Sequence, residues 1–216
     1  MKSILVIGMG RFGRHIATRL QQLGNDVMIV DKNEEIINEL EINFTNAFIG
    51  DCTNPAVLKR LGINNFDICL VTIGDNFQSS LEITSLLHEM GAKYIVSKAD
   101  RDMQAKFLAK NGADEVIYLE RDMAERLAIK YNSKNIFDYF ELGKDFAVVE
   151  IPVLDNWVGK SIAELNVRHT YGVNILAVKI GKNIEASPSA QYIFNEADHI
   201  IVVGHNENVL KLANKN

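Results

Sequence analysis

Residues 4–13 read Ile4-Leu5-Val6-Ile7-Gly8-Met9-Gly10-Arg11-Phe12-Gly13, an apolar run of strand character that meets three spaced glycines and opens into the amphipathic stretch Phe12–Leu23. In a strand–turn–helix each glycine has a task. Gly8 permits the tight turn, Gly10 lets a phosphate approach the backbone, and Gly13 lets the helix pack close to the strand. The free N–H groups at the start of that helix form an anion site, helped by the positive end of the helix dipole. A lone G-x-G-x-x-G is weak evidence, but here the strand before, the helix after and an acid downstream agree. The acid is Asp31, at the end of Val27–Val30 and eighteen residues beyond Gly13, where a carboxylate accepts both ribose hydroxyls. An acid there disfavours a 2′-phosphate, so NADP is the least favoured ligand. The alternative reading makes the glycines a plain tight turn and Asp31 a cap for the helix at Asn33-Glu34.

Outward from this motif the pattern repeats. Short β-branched runs stand at Ile4–Ile7, Val27–Val30, Ala47–Ile49, Ile68–Ile73, Tyr94–Val96 and Val116–Tyr118, and helical periodicity at Phe12–Leu23, Glu34–Leu40, Pro55–Leu61, Phe77–Met90 and Met103–Lys110. Strands alternating with helices predict parallel βαβ units and a doubly wound sheet of the Rossmann type. The runs lack a polar alternation, as expected where helices cover both faces. Gly24, Gly62, Gly91 and Gly112 each follow a periodic segment, in the position of a helix stop. A further helix is expected at Arg121–Lys130, then a polar break, Asn132–Asn135, that reads as a hinge. Beyond Phe146 the chain becomes β-rich, with strands expected at Ala147–Val153, Val173–Ile180 and His199–Val203 and short helices at Ser161–Leu165 and Glu207–Ala213. The organisation read from this is a nucleotide-binding α/β domain over 1–133, a linker over 134–145 and a small α+β domain over 146–216.

The bulk properties exclude several classes. At 216 residues, 47% hydrophobic and 24% charged, the chain is an ordinary globular one with room for one large or two modest domains. No apolar stretch approaches the ~20 residues a spanning helix needs, and the N-terminal run is too short for a signal peptide, so a cytosolic protein that meets a membrane through a partner is expected. A net charge of −5 argues against nucleic acid as ligand. Cys52 and Cys69 form no Cys-x-x-Cys pair and read as two small buried residues in a reducing compartment.

The remaining candidates cluster where strands end. Arg11 is placed to reach the terminal phosphates of a nucleotide or of a neighbouring subunit's ligand, or is a solvated loop arginine. Asp51-Cys52-Thr53 follows the third strand, where adenine sits in this fold; Asp51 either accepts the adenine amino group or caps the Pro55 helix. Thr72-Ile73-Gly74-Asp75-Asn76 follows the fourth strand, and its polar residues serve equally as caps for the Phe77 helix. Lys98 ends the fifth strand, within reach of a phosphate or a neighbouring carboxylate. Tyr94-Ile95-Val96-Ser97-Lys98 matches the Tyr-x-x-x-Lys of short-chain dehydrogenases, but that pair cooperates on a helix. On a strand the two side chains stand about 13 Å apart, and no other nucleophile or acid–base constellation has signature flanks. A nucleotide sensed and not consumed is therefore expected, ahead of an NAD-dependent oxidoreductase and of an NAD-linked transcription regulator, for which a helix-turn-helix is missing.

Gly-Met-Gly-Arg-Phe-Gly, Asp31, Gly50-Asp51-Cys52-Thr53, Lys98-Ala99, Gly112-Ala113-Asp114 and Glu120-Arg121-Asp122-Met123 resemble the N-lobe of the regulator-of-potassium-conductance (RCK, or KTN) family. Val158-Gly159-Lys160-Ser161, Leu165-Asn166-Val167-Arg168, Tyr171-Gly172, Ser187-Pro188 and Asp198–Gly204 resemble its C-lobe. The combination is similar to the cytosolic regulatory subunits of bacterial Ktr-type potassium transporters, within the TrkA superfamily. The resemblance implies a homodimer assembling into an octameric ring, docked on an integral-membrane potassium-translocating subunit of the KtrB type. It implies that ATP activates and ADP inactivates, with Arg11 on the γ-phosphate, Asp31 on the ribose and Glu120 at a cation site between N-lobes. It also implies cyclic di-AMP in a C-lobe groove, with Arg168, His169, Asn174, Ile175 and Pro188 as candidates. The expected nucleotide-contacting set is Gly8, Met9, Gly10, Arg11, Phe12, Gly13, Asp31, Lys32, Asp51, Cys52, Thr53, Thr72, Ile73, Gly74, Lys98 and Glu120. The loop and Asp31 serve ATP/ADP and NAD/NADH alike.

Overall fold

A computed structural model describes residues 1–44, 46–133 and 135–215. Its contacts divide the chain into two units, Met1–Glu120 and Arg121–Asn216.

The first unit alternates strand and helix throughout: β1 (Ser3–Ile7), α1 (Arg11–Gln22), β2 (Asp26–Asp31), α2 (Glu34–Leu40), β3 (Asn46–Ile49), α3 (Pro55–Leu61), β4 (Ile68–Val71), α4 (Phe77–Glu89), β5 (Ile95–Lys98), α5 (Asp102–Lys110) and β6 (Glu115–Ile117). The strands form one parallel sheet in the order β3-β2-β1-β4-β5-β6. β1 lies in the middle, and the connections leave it in opposite directions, to β2 on one side and to β4 on the other. That is the topological switch point, where such sheets open a crevice beyond the strand ends. Successive β1 residues feed opposite layers: Ile4 and Val6 pack with Ala17, Ile29 and Ile37, while Leu5 and Ile7 pack with Leu58, Val71, Ile83 and Leu87. Both faces are apolar because both are covered, which is why the strands show no alternation.

Asparagine starts three of the helices. Asn33, Asn54 and Asn76 accept from the first-turn N–H groups of α2, α3 and α4. The caps for α2 and α3 are therefore Asn33 and Asn54, and not Asp31 and Asp51. The four glycines expected to stop helices all adopt positive φ, from +67° to +104°. The fourth strand is shorter than the apolar run suggested, ending at Val71, because Thr72 and Ile73 already turn into the crevice loop.

α6 (Leu119–Asn132) begins two residues earlier than its periodicity indicated. Lys134, within the expected Asn132–Asn135 hinge, lies outside the described residues. The second unit is a five-stranded antiparallel sheet of β7 (Asp138–Glu141), β8 (Phe146–Pro152), β9 (Val173–Ile180), β10 (Asn183–Ala186) and β11 (Asp198–His205), in the order β10-β9-β11-β8-β7. Two short helices, α7 (Ile162–Leu165) and α8 (Val167–Tyr171), precede β9, and α9 (Asn206–Ala213) follows β11. One sheet face holds the core, built on Trp157 and Phe194 with Val149, Ile200, Val202 and Val209. The Trp157 indole donates to the Tyr171 hydroxyl at 3.2 Å, which lets an aromatic carry its N–H into the interior. α7 opens with a capping box in which Ser161 and Glu164 exchange hydrogen bonds. On the opposite face Glu150 accepts from Lys179 Nζ at 2.7 Å and lies 2.9 Å from His199 Nδ1, with the Phe137 ring against His199. Burial pushes the Glu150 carboxyl upward, but the bonds from Lys179 and His199 outweigh it and hold it below the ordinary carboxylate value.

β7, β10 and α8 were not legible in the sequence. β7 falls within the segment read as linker and buries one side chain, Tyr139, while β10 is exposed at every residue.

Candidate functional site

A crevice of about 1040 Å³ opens at the C-terminal ends of the parallel strands. Every member of the expected nucleotide-contacting set lines it except Met9, Gly13 and Thr53, and it takes in further residues, among them Asn33, Ile36, Asn76 and Asp100.

The β1–α1 turn forms the floor. Gly8 has φ +98°, a conformation that L side chains rarely adopt, and its N–H donates to Val30 O at 2.8 Å. A Cβ on Gly13 would stand 2.0 Å from Gly8 O and 2.7 Å from Thr72 Oγ1, so α1 reaches the strand only because the side chain is missing. A Cβ on Gly10 would meet nothing within 4 Å, because it would project into open space. Gly10 is also the N-cap of α1, and having no side-chain oxygen it leaves the first-turn amides to whatever enters. The three glycines thus have distinct physical reasons: turn, approach and packing.

Side chains around the turn separate into those already engaged and those still open. The Thr72 hydroxyl is buried and donates to Gly8 O at 2.6 Å and Ile7 O at 3.1 Å, so it holds the turn and is not offered to a ligand. Met9 is buried against α1, and its N–H donates to Asp31 Oδ2 at 2.6 Å; Asp31 Oδ1 accepts from Asn33 N–H. The carboxylate is therefore fixed at the crevice wall by two backbone amides. Arg14 Nε donates to Met9 O, and its guanidinium pairs with Glu39, which ties α1 to the loop and to α2. Arg11, three residues earlier, is exposed on the crevice and forms no ion pair among the described residues.

At the adenine end expected from the fold, Asp51 Oδ1 accepts from both the Thr53 hydroxyl (2.7 Å) and the Thr53 N–H (3.0 Å), and these bonds hold its carboxyl below the ordinary range. Thr53 acts on Asp51 and does not face the crevice. Cys52 and Cys69 are buried free thiols, each pushed up to about 12 by burial, hence protonated and unreactive. On the far side Lys98 Nζ is ion-paired with Asp100, whose N–H donates to Gln104. Tyr94 stands at the opposite end of β5 from Lys98, its hydroxyl donating to Glu115 at 3.2 Å, so the dehydrogenase-like spacing brings no pair together. Glu120, in the first turn of α6, is an exposed carboxylate at the rim. Among the described residues no three His, Cys, Asp or Glu side chains gather to hold a metal.

The second unit carries a smaller groove of about 260 Å³, lined by Arg168, Asn174, Ile175 and Pro188 together with Ile162 and Val167; His169 is not among its lining residues. No helix among the described residues is long and apolar enough to cross a membrane.

Residues 4–119 match the TrkA-N domain and residues 146–215 the TrkA-C domain. The chain is 41% identical to the Ktr system potassium uptake protein C of Bacillus subtilis, over 94% of this chain and 92% of that one. It is 37% identical to the Ktr system potassium uptake protein A of the same organism, over 99% and 96%. Among solved structures, the GsuK channel bound to NAD superposes with a TM-score of 0.71 at 16% identity, covering 98% of this chain and 39% of that longer one, a likeness of fold.

Proposed function

This chain belongs to the family of Ktr potassium uptake proteins, with their TrkA-N and TrkA-C domains, and from that premise we propose that it is a cytosolic nucleotide-sensing subunit that gates a potassium-translocating membrane partner. One observation carries the reading. The uncapped N-terminus of α1, with Gly10 facing open crevice, is flanked by an unpaired Arg11 on one side and the braced Asp31 carboxylate on the other. Phosphates rest on the amides, ribose hydroxyls meet Asp31, and Arg11 reaches the last phosphate of the chain. The nucleotide is sensed and not consumed.

A ligand shifts a two-state assembly only by its difference in affinity between the states. ATP presents a γ-phosphate to Arg11, and ADP does not. In the proposed homodimer Glu120 faces its counterpart across a two-fold axis, where a cation offsets the repulsion of two carboxylates and bridges to phosphate. ATP thereby favours the active and ADP the inactive form of an octameric ring. The groove beside Arg168 and Pro188 is the proposed half-site for cyclic di-AMP, completed by the same groove of a second copy; its about 260 Å³ suits part of such a ligand.

Calorimetric titration of the purified chain with ATP and with ADP tests the switch. Tighter ATP binding in the wild type and loss of that preference in Arg11→Ala are expected; equal affinities in both proteins would remove it. NAD/NADH is the second reading, favoured by a crevice whose volume of about 1040 Å³ is ample for a dinucleotide and by the NAD carried by the GsuK structure. Displacement of bound ATP by NAD at lower concentration than by ADP would select it.

A further inference from the structure

The crevice holds three cations, Arg11, Lys32 and Lys98, against five carboxylates. Of the three, Lys98 is the most enclosed, with a side chain 14% exposed, and its ammonium is already committed to Asp100 Oδ1. The pair is held from two sides. The Asp100 N–H donates to Gln104 Oε1 at 3.0 Å in the first turn of α5, which fixes the loop after β5. Gly74 lies against both charged groups: a Cβ there would stand 2.8 Å from Lys98 Nζ and 3.1 Å from Asp100 Oδ2. The ammonium and carboxylate therefore meet in a slot that exists because residue 74 has no side chain.

We propose that Asp100 is a specificity-determining residue of the crevice: an internal anion that occupies Lys98 and so limits how strongly the site favours ligands with more phosphate charge. This rests on the nucleotide reading above. A phosphate that approaches Lys98 must share the ammonium with Asp100 and also meet that carboxylate's own negative charge. Each further phosphate raises the cost, so the pair works against polyphosphate length while Arg11 and the α1 amides work for it. The balance keeps two nucleotides that differ by one phosphate within competing range of one another, as a sensor of their ratio requires and a tight ATP binder does not. Gln104 and Gly74 are positioning residues in this arrangement, since neither carries charge.

The test is isothermal titration of AMP, ADP and ATP into the wild type, Asp100→Asn, Gly74→Ala, Lys98→Gln and the double variant Lys98→Gln/Asp100→Asn, with melting curves to confirm folding. Asp100→Asn is isosteric and leaves the backbone bond to Gln104 intact. In it the ratio of ADP to ATP dissociation constants is expected to rise about fivefold, the worth of one partly screened charge pair, with AMP least affected. Gly74→Ala, which displaces the ammonium without altering charge, is expected to move the ratio in the same direction by less. In the Lys98→Gln background Asp100→Asn is expected to raise the ratio by clearly less, because no ammonium is released and only the carboxylate's own repulsion is relieved. Equal tightening of all three ligands, or the same rise with Lys98 absent, would overturn the role of Asp100 while leaving the nucleotide site standing. A wild type that binds none of the three overturns both the site and this inference.

Discussion

Gly13→Ala and Gly10→Ala are chemically the same change three residues apart, and the structure predicts opposite consequences. At Gly13 the new Cβ would lie 2.0 Å from Gly8 O and 2.7 Å from Thr72 Oγ1. Ordinary carbon–oxygen contact begins near 3.4 Å, so α1 must retreat from β1 by more than 1 Å. Neither obstacle yields easily, because one is backbone and the other is a hydroxyl bonded to that same carbonyl. Overpacking of this kind costs about 3 kcal/mol at the upper end of its usual range, and alanine's better helix propensity returns about 1 kcal/mol, leaving a net loss of about 2 kcal/mol. With a urea m-value of about 2 kcal/mol/M the midpoint of the first unit should fall by about 1 M. At Gly10 the Cβ meets nothing within 4 Å and φ is −66°, so only the weak preference of a helix cap for glycine over alanine is lost, about 0.5 kcal/mol. The methyl group occupies the space through which a phosphate approaches the amides, so nucleotide affinity should fall about tenfold or more. Urea titrations followed by far-UV circular dichroism, paired with calorimetric binding of ATP, read both effects. Equal midpoint shifts in the two variants, or an unmoved midpoint in Gly13→Ala, would refute the assignment of packing to one glycine and approach to the other.

Two further outcomes follow from bonds already described. Thr72→Val removes the donor to Gly8 O in a buried setting and should cost about 1–3 kcal/mol, while Thr72→Ser should recover most of it; urea midpoints for the three proteins decide, and a neutral valine variant contradicts the pinning role. Glu150 is depressed in the fold relative to its ordinary value of 4.5, so its contribution to stability is present above that pH and disappears as pH falls through the lower folded value. Glu150→Gln should therefore narrow its stability gap from wild type as pH is lowered through and below 4.5, and a gap that stays constant or widens toward acid would count against the Lys179–Glu150–His199 arrangement.

The parallel sheet was legible because its signal is redundant: each apolar run, each amphipathic stretch and each terminating glycine points to the same βαβ unit. The site was legible where residue type and position are tied by backbone geometry, as at Gly8, Gly13 and Asp31. It was less so where a side chain has several uses. Thr72 and Thr53 lie in the loops that follow the fourth and third strands, but their hydroxyls hold Gly8 O and Asp51, a choice set by distances that no spacing rule encodes. Nothing in the sequence marks Asp100, two residues past Lys98, because only the loop's curvature turns it back onto the ammonium. Likewise Asn33 and Asn54 took the capping roles considered for Asp31 and Asp51, each being the residue directly before its helix. In the second unit β11 alternates buried and half-buried residues and was expected, whereas β10 is exposed throughout and left no pattern to read.

The central position of β1 has a consequence for synthesis. Its partner on one side, β2, follows within a couple of dozen residues, but Ile4 pairs with Ile68 on the other, sixty-four residues on. At ribosomal speeds of about 5–20 residues per second, that flank of the nascent strand waits on the order of 3–13 s for its neighbour. During that interval this apolar strand has one open hydrogen-bonding edge, so a holdase that binds short aliphatic stretches would find a target in it, and codon choice between β2 and β4 would govern how long it stays there.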